Sequence, residues 1–79
     1  MFKNRSENGR NNLCGDRIRE LRLAERWSQR ELADRLQLIG LDLGKNAIQQ
    51  IESGQRFVTD IELTAIAKVF QTDINTLIQ

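Results

Sequence analysis

Two four-residue segments of the chain have the pattern that begins an α-helix. Ser28-Gln29-Arg30-Glu31 and Thr59-Asp60-Ile61-Glu62 each place a hydroxyl residue three positions before a glutamate. In such a capping box the hydroxyl accepts from the glutamate N–H and the carboxylate reaches back. An apolar pair flanks each segment at the two positions of a hydrophobic staple: Trp27 with Leu32, and Val58 with Leu63. Because the 79 residues also contain no proline and five glycines, we expect an all-α domain.

Apolar residues at helical spacing extend these two starts to five predicted helices. The expected bounds are about 13–25, 28–39, 45–53, 59–70 and 73–78. The inward-facing positions, taken helix by helix, are predicted to be Cys14, Ile18, Leu21 and Glu25; Leu32, Ala33, Leu36 and Ile39; Ala47, Ile48 and Ile51; Leu63, Ile66, Ala67 and Phe70; and Ile74, Leu77 and Ile78. Gly40 and Gly44 bound the turn before the third helix, and Gly54 is expected to end that helix in a left-handed conformation.

Composition and charge exclude several classes of protein. The longest run without a charged residue is six, whereas a membrane-spanning helix needs about 20 apolar residues. One cysteine, Cys14, allows no internal disulfide, which favours a reducing cytoplasm. There is no histidine, so neither a zinc site nor acid–base catalysis is indicated, and Cys14 has no evident base partner. We therefore expect no enzyme activity, metal or other cofactor.

The net charge of +1 is unevenly distributed along the chain. Residues 1–27 carry seven Lys/Arg and four Asp/Glu, whereas residues 57–79 carry one and three. Residues 1–12 have no apolar periodicity and are predicted to be a disordered arm, with residues 13–79 as the folded domain. The arm is either a solvated tail or a basic segment whose Lys3, Arg5 and Arg10 follow DNA.

The third helix carries a polar strip opposite its core residues. At 100° per residue, with Ile48 and Ile51 inward, the outer positions are Lys45, Asn46, Gln49 and Gln50. Asn and Gln can bind adenine through two hydrogen bonds, and Lys can donate to guanine. No acidic residue precedes Glu52 on this helix. A major-groove interface is one interpretation, and an ordinary solvated helix face is the other.

From Gly15 to Leu77 the chain resembles the phage repressor/Cro (XRE-type) family of helix-turn-helix proteins. The matching segments, in chain order, are Ile18-Arg19-Glu20-Leu21-Arg22, Ser28-Gln29-Arg30-Glu31-Leu32-Ala33, Ile48-Gln49-Gln50-Ile51-Glu52-Ser53-Gly54, residues 63–70, and Leu77. The resemblance implies a five-helix lambda-repressor-like DNA-binding domain. Its helix-turn-helix spans about Ser28 to Ser53, and its third helix is the recognition helix.

The resemblance also implies roles for individual residues. Lys45, Asn46 and Gln50 match positions that read bases, with Gln49 able to reach a base or the backbone. The remaining implied DNA contacts, to phosphates or at the helix cap, are Gln29, Gly44, Ser53, Arg56 and the backbone amides near Gly54. Gly44 stands where the family often has Ser or Thr, which removes a hydroxyl contact. Arg22 and Glu52 match an ion pair that joins the first helix to the end of the third.

One segment departs from the family. Between Leu36 and Lys45 the chain has about four residues more than the short turn of most relatives. They either extend the second helix by a turn, with Ile39 in the core, or form a loop. The start of the recognition helix is therefore less defined than its end.

Two functions remain open on this basis. The leading expectation is a transcriptional regulator, a repressor, that binds double-stranded DNA as a homodimer in a bacterial or phage context, in the cytoplasm at the nucleoid. The 55–58 loop and the fifth helix, with Ile74 and Ile78, are the expected dimer surfaces unless they only close the core. The alternative is a protein-interaction module of the same fold, such as an antitoxin or controller protein.

Overall fold

The structure, a computed structural model, describes residues 11–78, which form five α-helices and contain no strand. The helices are α1 (Gly15–Ala24), α2 (Gln29–Leu38), α3 (Lys45–Glu52), α4 (Asp60–Val69) and α5 (Ile74–Ile78). The expected all-α class is confirmed, and each helix lies within one or two residues of its predicted bounds. Residues 1–10 of the predicted arm lie outside the described residues.

The two predicted caps begin α2 and α4. Thr59 Oγ1 accepts from Glu62 N at 3.2 Å, and Glu62 Oε1 accepts from Thr59 N at 3.1 Å, so this capping box is complete. Ser28 Oγ accepts from Glu31 N at 3.0 Å, but the structure shows no return bond from the Glu31 carboxylate. A single cap bond of this kind stabilises a helix by about 1 kcal/mol, so α2 begins where the sequence predicts without the second bond.

All five helices contribute to one core. Seven large side chains are less than 2% exposed: Ile18, Leu32, Leu36, Ile48, Ile51, Ile66 and Leu77. Burying each of them contributes about 1.5–3 kcal/mol relative to exposure. Helix α3 packs against both α1 and α2, and α5 packs against α1 and α4. The inner face of α3 is therefore enclosed by its neighbours, and its outer face is left to solvent.

The connection between α2 and α3 corrects the prediction for Ile39. Helix α2 ends at Leu38, and Ile39 is its C-cap and 48% exposed. Gly40 has φ +95°, and Leu41 N returns to donate to Leu36 O at 3.0 Å. Because the chain reverses there, Leu43 enters the core instead, with 8% of its surface exposed. The extra residues are a loop that supplies its own core residue.

The prediction for Glu25 is also corrected. Glu25 is the C-cap of α1 and is exposed, because α1 ends at Ala24 and Arg26 turns the chain with φ +61°. The buried polar residue of α1 is Arg22. Trp27, in the turn that follows, stacks on Phe70 with ring centroids 5.4 Å apart. This contact ties the α1–α2 turn to the end of α4.

Candidate nucleic-acid interface

Helix α3 presents a continuous polar strip to solvent. Ile48 and Ile51 are 1% and 0% exposed on its inner side. Four outer side chains are exposed and have no hydrogen bond or ion pair to any other residue in the described part of the chain: Lys45, Asn46, Gln49 and Gln50. Their donors and acceptors remain available to a ligand. The strip matches the one that helical geometry predicts.

Gly44 sets the start of α3. It is the N-cap, in an extended conformation with φ −80° and ψ 172°, and it supplies no side-chain bond. Ile48 N donates to Gly44 O at 3.1 Å, which closes the first turn. A Cβ built at Gly44 would meet nothing within 4 Å, so the protein itself does not require glycine there. The surface above this helix end is open to another molecule.

An ion pair attaches the last turn of α3 to α1. Arg22 Nε and Nη2 donate to Glu52 Oε2 and Oε1 at 2.7 and 3.0 Å. Arg22 Nη1 donates to Trp27 O at 2.7 Å. Arg22 and Glu52 are 8% and 6% exposed. The structure thus brings together the two residues that the family resemblance paired, and the negative charge of Glu52 is turned away from the outer face of α3.

Gln29 lies beside this ion pair at the start of α2. Its Nε2 donates to Glu52 Oε1 at 3.2 Å, and the residue is partly buried. The carboxamide nitrogen carries two hydrogens, so one N–H remains for a phosphate oxygen. Glu52 therefore orients the side chain for which the resemblance implies a phosphate contact.

Arg30 is a cation of this surface that sequence reasoning did not single out. With Lys45 and Gly44 it lines a cavity of about 220 Å³ between α2 and the start of α3. Asp34 and Asp42 line the same cavity, so it carries both signs of charge. The signal in the sequence is the position of Arg30 in the first turn of α2, next to Gln29.

The loop after α3 is engaged within the protein. Gly54 has φ +84°, as predicted for the residue that ends α3. Gly54 N donates to Ile51 O, and Gln55 N and Arg56 N both donate to Gln50 O, at 2.9 to 3.3 Å. Ser53 Oγ donates to Gln50 O at 3.1 Å. The backbone amides expected to clamp a phosphate near Gly54 have these internal partners.

Arg56, the other expected member of that clamp, is bound to Glu62. Its Nη1 and Nη2 donate to Glu62 Oε1 and Oε2 at 2.9 and 3.0 Å. These bonds from Arg56 lower the pKa of the Glu62 carboxyl below its ordinary value, with partial burial opposing and the Thr59 N–H assisting. The same bonds raise the pKa of Arg56. A phosphate that binds Arg56 must share or displace this carboxylate.

Two residues assigned to the disordered arm are instead bonded to this loop. Asn11 N donates to Gly54 O and Asn11 Nδ2 to Gln55 O, both at 2.8 Å. Asn12 Nδ2 donates to Ile51 O at 3.1 Å and to Arg56 O at 2.8 Å. The folded part of the chain thus begins at or before Asn11. The signal available in the sequence was an asparagine three residues before Gly15, a spacing that caps helices.

Two other kinds of site are absent from the described residues. Among residues 11–78 no group of His, Cys, Asp or Glu side chains is arranged to hold a metal ion. In the same range no helix combines the length and apolar character needed to cross a bilayer.

The fold and the exposed polar helix define a helix-turn-helix domain of the DNA-binding regulator class. Comparison with known proteins shows that the chain belongs to the helix-turn-helix family HTH_3, which it matches over residues 18–77. It is similar to the solved structure of the restriction-modification controller protein C.AhdI from Aeromonas hydrophila. That likeness has 30% identity and a TM-score of 0.69, and it covers 80% of this chain and 84% of that one. No curated protein matches the chain.

Proposed function

We propose that this DNA-binding regulator is a sequence-specific repressor of transcription that reads the major groove with α3. The observation that carries the proposal is the outer face of α3, where Lys45, Asn46, Gln49 and Gln50 are exposed without partners in the described part of the chain. The one carboxylate of the helix, Glu52, is buried against Arg22. DNA binding places the site of action in the cytoplasm at the nucleoid.

The proposed base contacts come from the first two turns of α3. Asn46 and Gln50 are suited to adenine N6 and N7, and Lys45 to guanine O6 or N7. Gln49 reaches a base or the backbone. Because Gly44 projects no side chain, the first turn of α3 can approach the groove closely, and the N-terminal end of a helix attracts phosphate.

Phosphate contacts surround this helix on two sides. Gln29 offers its second amide hydrogen, and Arg30 and Lys45 supply positive charge beside the start of α3. Ser53 and Arg56 lie at the opposite end of α3. We propose that Arg56 shares its guanidinium between Glu62 and a phosphate, since a planar guanidinium has five N–H donors and Glu62 uses two of them.

A homodimer on DNA supports the modest charge of one domain. Four exposed apolar side chains lie in the loop before α4, on α4 and on α5, with exposed fractions of 37–74%: Phe57, Ile61, Ile74 and Ile78. We propose that they pack against the same residues of a second copy. Two such domains would then address half-sites about 34–36 Å apart.

In-vitro selection of duplexes followed by a salt titration tests DNA recognition. With two or three cations per protomer at the backbone, log Kobs should fall with log[salt] at a slope of about −4 to −5 for a dimer. Lys45→Gln should make this slope shallower by about 2 in the dimer. The matched control is Lys68→Gln on α4, which should leave it unchanged. Failure to enrich any sequence, or a slope near zero, would exclude this function.

Sedimentation equilibrium tests the dimer separately. Ile78→Asp should weaken self-association, because it places a charge in the proposed apolar contact. Leu23→Asp is the control, since Leu23 is 55% exposed on α1, outside that surface. Equal effects of the two substitutions would contradict the assigned dimer surface without touching the DNA-binding proposal.

A narrower role is favoured by the similarity to a restriction-modification controller. We propose as second candidate that this chain is a controller, which regulates through DNA, a protein partner or both. A chain that enriches no duplex but binds a partner protein through the same fold would support the protein-interaction module over the DNA-reading repressor.

A further inference from the structure

The carboxamide of Asn12 connects three separate parts of the fold. Its Oδ1 accepts from Gly15 N at 2.9 Å, at the first turn of α1. Its Nδ2 donates to Ile51 O in the last turn of α3 and to Arg56 O in the following loop, at 3.1 and 2.8 Å. All these bonds are partly buried. One side chain therefore caps α1 and also binds the end of the recognition helix.

Helix α3 is consequently attached to α1 at both ends of α1. Arg22 in the last turn of α1 holds Glu52, and Asn12, just before α1, holds Ile51 and Arg56. These two α1-side anchors are ten residues apart, or about 15 Å along a helix. A single anchor would let α3 pivot, whereas two separated anchors oppose rotation of α3 relative to α1.

We propose that Asn12 is a positioning residue for DNA recognition, because its bonds to Ile51 O and Arg56 O fix the angle at which α3 meets the groove. The inference rests on the proposed function. Over the eight residues of α3, about 12 Å, a rotation of about 5° moves Lys45 by about 1 Å. Hydrogen bonds to base edges occupy a range of about 0.5 Å, so such a movement breaks them.

A role limited to capping α1 is the competing explanation, and two substitutions separate it. Asn12→Ser keeps a cap acceptor, since Ser28 in this chain accepts from Glu31 N with the same three-residue spacing, but it removes both N–H donors to α3 and its loop. Asn12→Ala removes the cap and the donors. If only the cap matters, Asn12→Ser behaves like the unsubstituted chain and Asn12→Ala does not.

The assay compares two labelled duplexes of roughly 30 base pairs, long enough for two half-sites. One is selected in vitro with the unsubstituted chain, and the other has its sequence scrambled. Dissociation constants are measured at a temperature at which circular dichroism shows all variants to be folded. We expect Asn12→Ser and Asn12→Ala each to lower the ratio of selected to scrambled affinity about tenfold, as loss of one or two net hydrogen bonds would.

The pattern of loss decides the matter. Asn11→Ser is the matched control on the same loop, because it removes one donor to Gln55 O but none to α3, and it should change the ratio less than threefold. An unchanged ratio for Asn12→Ser, or equal losses on both duplexes, overturns the positioning role alone. If the unsubstituted chain shows no preference for the selected duplex, the proposed function fails and this inference fails with it.

Discussion

Removing Glu52 should cost this domain a large part of its stability. Glu52 is 6% exposed and accepts two hydrogen bonds from the Arg22 guanidinium, which is 8% exposed, and a third from Gln29. In Glu52→Ala the Arg22 charge stays buried and retains only the Trp27 carbonyl of its three observed acceptors. The substitution therefore leaves a desolvated cation without its counter-ion.

The magnitude follows from this burial. Removing one partner of a buried ion pair costs about 3–5 kcal/mol, mostly as the penalty of the remaining charge. A domain of 79 residues has a total stability of about 4–12 kcal/mol. We thus expect Glu52→Ala to remove a third or more of the free energy of unfolding. With a urea m-value near 1 kcal/mol/M, the midpoint falls by about 3–5 M.

Urea unfolding, followed by Trp27 fluorescence and by far-ultraviolet circular dichroism, measures this change. Trp27 is the single tryptophan, and the second probe checks that both signals report one transition. Glu62→Ala is the matched control, because Glu62 also binds an arginine but forms a more exposed pair. Loss of that pair and of its cap bond should cost about 1–2 kcal/mol.

A third variant distinguishes the penalty of a lone charge from a loss of packing. Adding Arg22→Met to Glu52→Ala removes the uncompensated cation, so the double variant should be more stable than Glu52→Ala alone. The reasoning is refuted if Glu52→Ala shifts the midpoint by less than about 1 M, if Glu62→Ala costs as much, or if the double variant is the least stable of all.

Three further outcomes are expected. Gln50→Ala should cost about 1–3 kcal/mol at one operator position and relax specificity there, measured by a second in-vitro selection; an equal loss on every sequence would exclude base reading. Gln29→Ala should weaken selected and scrambled duplexes by the same factor without changing the salt slope, because the lost contact is an uncharged phosphate contact. Arg56 holds the pKa of Glu62 below the ordinary value of 4.5, so the stability it contributes is present above that pH and is lost as pH falls through the folded pKa. Urea midpoints of the unsubstituted chain and Glu62→Gln should therefore converge at acidic pH, and a constant difference would contradict the assignment.

Local rules explain most of what the sequence predicts correctly. The starts of α2 and α4 depend on residues three positions apart, and Gly54 ends α3 with a positive φ that glycine favours. The outer strip of α3 depends only on which residues face inward, and Ile48 and Ile51 are unambiguous. Such features need no knowledge of distant contacts, which is why the fold class and the polar helix face could be predicted.

Contacts between distant segments account for what the sequence could not supply. The partners of Asn12 on α3 and its loop lie 39 and 44 residues away, so a polar N-terminal segment was interpreted as an arm. Arg56 was assigned to phosphate by resemblance alone, yet the cap residue Glu62 is close enough to bind it. In both cases the donors could be counted from the sequence, but their acceptors became evident only once the helices were packed.

The long connection before α3 shows how tertiary packing determines the position of the recognition helix. Leu36 O accepts from both Ile39 N and Leu41 N, at 3.1 and 3.0 Å, so the end of α2 is closed tightly before the chain reverses. Leu43 then occupies the core immediately before the Gly44 cap, while Leu38 is 86% exposed. Because the chain is anchored at Leu36 and again at Leu43, the added residues project outward between two fixed points. Helix α3 consequently still begins at Lys45, and a longer turn is accommodated without displacing the surface proposed to read DNA.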